Sequence, residues 1–138
     1  MAMQDQEAAM TGKILLCAGL VFAIFFFVPF LAYGTYAALT GLEPPDTVAP
    51  AVFMASVFLE KLGHTIAFVG IFYLARRALH DRWFWYAAAW WSMFVIAEVA
   101  LAIRSEYSWP EATAGMISET IYFPLAALVT RKYLRPAT

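Results

Sequence analysis

In the stretch Phe58-Leu59-Glu60-Lys61-Leu62-Gly63-His64-Thr65, two charged residues and a histidine interrupt an apolar segment long enough to cross a membrane. An ionisable side chain at mid-bilayer costs about 2.5–3.5 kcal/mol on insertion scales, so such residues face a bundle interior and mark functional sites. Nothing else in the chain restricts the fold as strongly, because other helices must shield this segment from lipid. Composition agrees. Of 138 residues, 63% are hydrophobic and 14% charged, whereas soluble domains run near about 45–50% apolar and about 25% charged. The expected fold class is all-α: one integral membrane domain over residues 1–138, a bundle of four transmembrane helices.

The first apolar run, about 13–39, exceeds the roughly 20 residues that cross the hydrocarbon core. Pro29 lies inside it and leaves the Phe25 carbonyl without its usual partner, which predicts a kink. Tyr33 and Tyr36 mark the approach to an interface. Residues 40–50, with Glu43-Pro44-Pro45-Asp46, form a turn-rich acidic loop. The second helix covers about 50–75 and ends at the basic loop Arg76-Arg77-Ala78-Leu79-His80-Asp81-Arg82, where His80 is expected as a solvated interfacial residue. The third, about 83–103, opens on Trp83, Trp85, Tyr86, Trp90 and Trp91, a cluster suited to an interfacial belt. The fourth, about 111–130, carries Glu119 and Pro124 and stops at Arg131-Lys132-Tyr133-Leu134-Arg135.

Arg76, Arg77 and Arg82 in the second loop, with Arg131, Lys132 and Arg135 after the last helix, place that loop and both termini in the cytoplasm by the positive-inside rule. In a bacterium this would be the inner membrane. The segment before Lys13 has no basic residue and so lacks the start of a secretory signal, and the first helix is expected to be retained. A net charge of −1 argues against a nucleic-acid partner. The single cysteine, Cys17, is expected to be inert and buried, and rules out an intramolecular disulfide.

Glu60, Lys61, His64, Glu98 and Glu119 lie within the spans. At about 1.5 Å of rise per residue, Glu98 is about 8 Å from the acidic-loop side, Glu119 about 12 Å, Glu60 about 15 Å and His64 about 21 Å. Three carboxylates from three helices therefore share one slab of the bilayer. Glu60 and His64 stand at i, i+4 on one face, within reach of a hydrogen bond. Lys61 points about 100° away and needs a partner of its own, with Glu98 and Glu119 as candidates. Gly63, Ala67 and Gly70 form a small-residue strip that permits close helix approach. Tyr122 shares a face with Glu119, and Trp91 and Phe94 share one with Glu98. If those faces meet, they enclose a pocket of carboxyls, imidazole and phenol with aromatic walls.

Burial favours the neutral form of an ionisable group and pairing the charged form, so such a pocket can hold a general acid beside a general base. The expectation is a site for a lipophilic small molecule in which Glu60 and His64 act as acid and base. Glu98 and Glu119 would orient or stabilise charge, and Tyr122, Trp91, Phe94 and Lys61 would contact the ligand. An isomerase working by proton transfer is the corresponding enzyme. His64 is the only histidine in a span, which excludes bis-histidine haem within one chain. A single axial ligand at a subunit interface, as in a haem-dependent membrane epoxide isomerase, stays open. No metal is expected, since the Glu-His pair is spaced i, i+4 rather than the i, i+3 of di-iron bundles. The alternative from another class is a non-catalytic subunit of a larger membrane complex containing pigment or haem, or a homo-oligomer, whose polar residues only lock the bundle.

With its four-helix layout, Pro44-Pro45 before a second helix bearing Glu60, and a last helix reading Ile121-Tyr122-Phe123-Pro124 ahead of a basic end, the chain resembles the emopamil-binding-type (EXPERA-type) sterol isomerases and ligand-binding membrane proteins. The resemblance implies an internal pocket for a sterol-like amphiphile. It makes Glu60 and His64 correspond in kind to that family's acid/base pair, and Glu98 to the carboxylate on its third helix. Here the glutamate precedes the histidine, the reverse of the family's order, and the first helix carries no acidic residue.

Overall fold

The computed structural model describes residues 2–42 and 49–136. Five helices follow in order: α1 (Ala2–Thr40), α2 (Pro50–Leu74), α3 (Arg76–Leu79), α4 (Trp83–Ile103) and α5 (Trp109–Tyr133), with no strand among the described residues. Four are long and apolar enough to cross a membrane, over Ala8–Thr40, Pro50–Leu74, Trp83–Ile103 and Trp109–Tyr133. The acidic loop around Pro44-Pro45 lies outside the described residues.

Local sequence explains where the helices stop and start. Gly41 has φ +72°, and its N–H bonds the Ala37 carbonyl at 2.8 Å, ending α1 in a left-handed cap. Ser108 caps α5: its hydroxyl accepts from the Glu111 N–H at 3.3 Å while the Glu111 carboxylate accepts from the Ser108 N–H at 2.6 Å. This reciprocal capping box, with Pro110 in the first turn, starts α5 two residues ahead of the expected position. At the other end α5 continues to Tyr133 rather than stopping near 130. The polar N-terminal residues are helical too, so α1 begins well before Lys13, and it runs as one helix through Pro29. The basic loop between α2 and α4 contains the single turn α3.

The bundle is built around α5, which packs against both α1 and α4, while α2 packs mainly on α1. Its small residues make this feasible: Ala112, Ala114, Ser118, Ala126 and Ala127 are all buried, and small side chains let helix backbones approach in lipid, where no hydrophobic drive brings helices together. The core is aromatic. Phe25 of α1 meets Phe68 of α2 and Tyr122 and Phe123 of α5, with ring centroids 5.3, 5.1 and 5.6 Å away, all edge-on. Cys17 and Val21 extend the buried face of α1, with Cys17 buried as expected.

Burial along α2 is one-sided. Its buried residues are Thr65, Phe68, Val69 and Phe72, all in the half nearer the basic loop. Near the acidic end, Phe58 leans on Phe22 of α1 at 5.2 Å, but residues 50–56 are exposed. α2 is thus tied to the bundle at its basic end and looser at its acidic end, where α5 itself stays packed through Ala112 and Ala114. Part of that tie is polar. The Tyr86 hydroxyl of α4 donates to the Phe68 carbonyl of α2 at 2.5 Å, and the Tyr86 ring tilts against Phe68 at 4.7 Å. Tyr86→Phe keeps the ring and loses this bond, and its cost is expected to be about 0.5–1.5 kcal/mol, the range of interhelical hydrogen bonds in membranes. Reversible unfolding in mixed micelles measures it, and an unchanged stability would show that the bond contributes nothing.

Candidate functional site

The polar side chains lie toward the acidic end, and their exposure falls from α2 to α5. Glu60 has a side chain 51% exposed, His64 29% and Lys61 15%, whereas Glu119 is 3% exposed. Glu60 is thus the most exposed of these side chains and Glu119 the most buried. The partner of Glu60 differs from the one expected. Lys61 Nζ lies 2.8 Å from Glu60 Oε1, while His64 Nδ1 is 3.6 Å from the same oxygen, too far for a hydrogen bond. The four-carbon lysine stem curls back to the adjacent residue, so the Glu60–Lys61 pair forms within α2 in place of a bond from Lys61 to another helix. Lys61 Nζ is also 6.0 Å from the Tyr122 ring centroid, and its charge acts on both Glu98 and Glu119.

The deep part of the site comes from α4 and α5. The Glu98 carboxylate lies directly over Gly115, where an added Cβ would meet Oε1 at 2.7 Å and Cδ at 2.8 Å. Only a residue without a side chain leaves that space, and Gly115 is one helical turn from Glu119. Glu98 Oε2 and Glu119 Oε2 are both buried without a hydrogen-bond partner, as is the hydroxyl of neighbouring Ser118. Buried polar atoms in a folded protein are normally satisfied, and an exception calls for an explanation.

Of the expected contact residues, Tyr122 is buried beside Phe123 and Phe25. Phe94 floors the site, edge-on to the His64 ring at 4.7 Å and to Phe123 at 5.0 Å. Trp91 is elsewhere. It is 38% exposed, and its indole N–H donates to the Thr120 hydroxyl at 3.0 Å, clasping α4 to α5 on their outer surface. Seven residues from Glu98 it is nominally on the same face, but a large ring reaching sideways to a hydroxyl follows the hydrogen bond. At the mouth, burial and then the charges of Glu98, Glu60, Glu111 and Glu106 push the Tyr107 phenol above its ordinary pKa, so it stays a neutral hydrogen-bond donor and acceptor. Ser118 is the neighbour that the sequence did not single out, whereas Gly115 shares the face of Glu119 by helical spacing.

No group of three or more His, Cys, Asp or Glu side chains among the described residues is arranged to hold a metal ion. No family model matches the sequence, and no curated protein and no solved structure matches it.

Gly115→Ala should displace the Glu98 carboxylate at a cost of about 1–3 kcal/mol, the usual range for overpacking. In a Glu98→Ala background the clash is gone, and the same substitution should gain up to about 1 kcal/mol from helix propensity. A double-mutant cycle of unfolding free energies reads the coupling; equal effects of Gly115→Ala in both backgrounds would contradict the contact.

Proposed function

We propose that this protein binds a lipophilic small molecule within the membrane and acts on it by proton transfer. The apolar body of the ligand lies along the looser side of the bundle between α2 and α4, against Phe94. Its polar group is received by Glu98, Glu119 and Lys61, with Tyr122 beside them. The observation that carries this proposal is the pair of buried, unpartnered oxygens on Glu98 and Glu119: a ligand hydroxyl donating to a carboxylate oxygen, or a ligand carbonyl accepting from a protonated carboxyl, supplies the missing hydrogen bonds. Small-molecule sites have this character, mostly apolar walls with a few convergent polar groups. The inward gradient from Glu60 through His64 and Lys61 to Glu119 gives the site a route for protons to and from its rim.

In a double-bond isomerisation, one carboxylic acid protonates one carbon of the double bond, the other carbon becomes cationic, and a carboxylate or the His64 imidazole takes a proton from the next carbon along, so that the double bond re-forms one position over. The two groups exchange protonation states, and no oxidant or reductant is consumed. Sequence alone placed acid and base at Glu60 and His64. Burial moves the centre of the proposal to Glu98 and Glu119, with Glu60 and His64 re-equilibrating them. The outline resemblance to the emopamil-binding-type isomerases supports the same class of ligand.

A second proposal, a subunit of a membrane assembly, is favoured by one observation: a Cβ on Gly63 or Gly70 would meet nothing within 4 Å, so this strip faces no helix of its own chain. A stoichiometric partner in native mass measurements from mild detergent would favour it.

Solvent extraction of the purified protein followed by mass spectrometry tests the ligand proposal. An amphiphile should accompany the wild type and fall at least tenfold in Glu119→Gln, with thermal stability kept or raised because an uncompensated buried acid has been removed. Full retention of the amphiphile in both Glu98→Gln and Glu119→Gln would exclude this site.

A further inference from the structure

At the end of the bundle away from the carboxyl groups, a hollow of about 390 Å³ is lined by His80, Leu128, Arg131, Lys132 and Arg135. Its lining carries three formal positive charges and no carboxylate. Leu128, Arg131 and Lys132 stand at i, i+3 and i+4 on one face of α5, and Arg135 joins them from just beyond the helix, after the non-helical cap at Leu134. His80 comes from the turn between α3 and α4, and its Nδ1 is buried without a hydrogen-bond partner. The ion pairs among the described residues are Lys61–Glu60, His64–Glu60 and Arg104–Glu106, none of which involves these cations. Arg131 lies 5.9 Å from the Trp83 ring and Lys132 5.8 Å from the Tyr133 ring, contacts that orient the charges without neutralising them. Like charges gathered in one recess raise the local potential and attract an anion.

The surface leading away from the hollow decides which anion. Ile121, Leu125 and Leu128 are exposed large apolar residues of α5, spaced i, i+4 and i+7 in line with Lys132. An apolar track thus runs from the cations along the membrane-spanning helix. A free phosphate has no use for such a track, whereas a lipid with an anionic head needs both parts. Basic pockets at the ends of membrane helices bind lipid headgroups in this way.

We propose that this hollow binds an anionic phospholipid, its phosphate among His80, Arg131, Lys132 and Arg135 and one acyl chain along Leu128, Leu125 and Ile121. The site is independent of the carboxyl cluster and of any ligand bound there.

The test uses the full chain in neutral detergent, with retained phosphatidylglycerol and phosphatidylcholine counted by native mass spectrometry. Working with purified protein avoids any effect of charge changes on insertion. Phosphatidylglycerol should be retained in preference to phosphatidylcholine. Lys132→Gln/Arg135→Gln should weaken its retention at least tenfold, following from about fivefold per cation. Arg77→Gln/Arg82→Gln removes as much charge at the same end but outside this hollow, and should leave retention unchanged. Leu128→Ser keeps every charge and should weaken retention severalfold, which serves if the cation double variant fails to fold. Equal retention of the two lipids, equal weakening by both double variants, no effect of Leu128→Ser, or displacement by millimolar inorganic phosphate would each overturn the proposal, the last by making it a free-anion site.

Discussion

A carboxylate inside hydrocarbon has no water to turn to, and the acidic half of this bundle is arranged around that fact. Each charged group must find a partner in the protein, reach the surface, or give up its charge. Glu60 takes the first two courses together, pairing with Lys61 while half of it stays exposed. Glu98 and Glu119 take neither. They are held inside by α5, Glu98 against a glycine and Glu119 almost fully buried. The backbone approach that buries them is the same one that lets α5 stand between α1 and α4.

The aromatic core supplies the rigidity that such a placement needs. Phe25 joins three helices at one point, and Tyr86 fastens α4 to α2 by both ring and hydroxyl. The Phe25 contacts lie at mid-bundle, with Tyr122 one turn from Glu119, and the Tyr86 contact lies toward the basic end; together they fix the helix positions around the carboxyl groups.

Much of this was legible in the residues. Hydropathy and length placed four spans within a few residues, since a helix in lipid has few alternatives. Spacing also brought Glu98 and Glu119 to one level. It failed where a flexible or large side chain chose its own partner. Lys61 has four methylenes and turned to Glu60, a choice that helical angles do not contain. Trp91 left its nominal face for the Thr120 hydroxyl. Glu60, the most conspicuous residue in the sequence, stays half exposed because the burial of α2 begins only at Thr65. Which half of a helix is buried depends on its neighbours' shapes, and a uniformly apolar segment does not encode it.

The uneven burial of α2 gives that helix the mechanics of a cantilever. Its clamp is the cluster of Phe68, Val69 and Phe72, and its free arm runs from Pro50 to Glu60 with little but Phe58 to hold it. Free energies of local opening follow contact density, so a displacement of α2 costs least at the arm and most at the clamp. A small tilt about Phe68 is multiplied along the arm, widening the gap to α4 without disturbing the aromatic core.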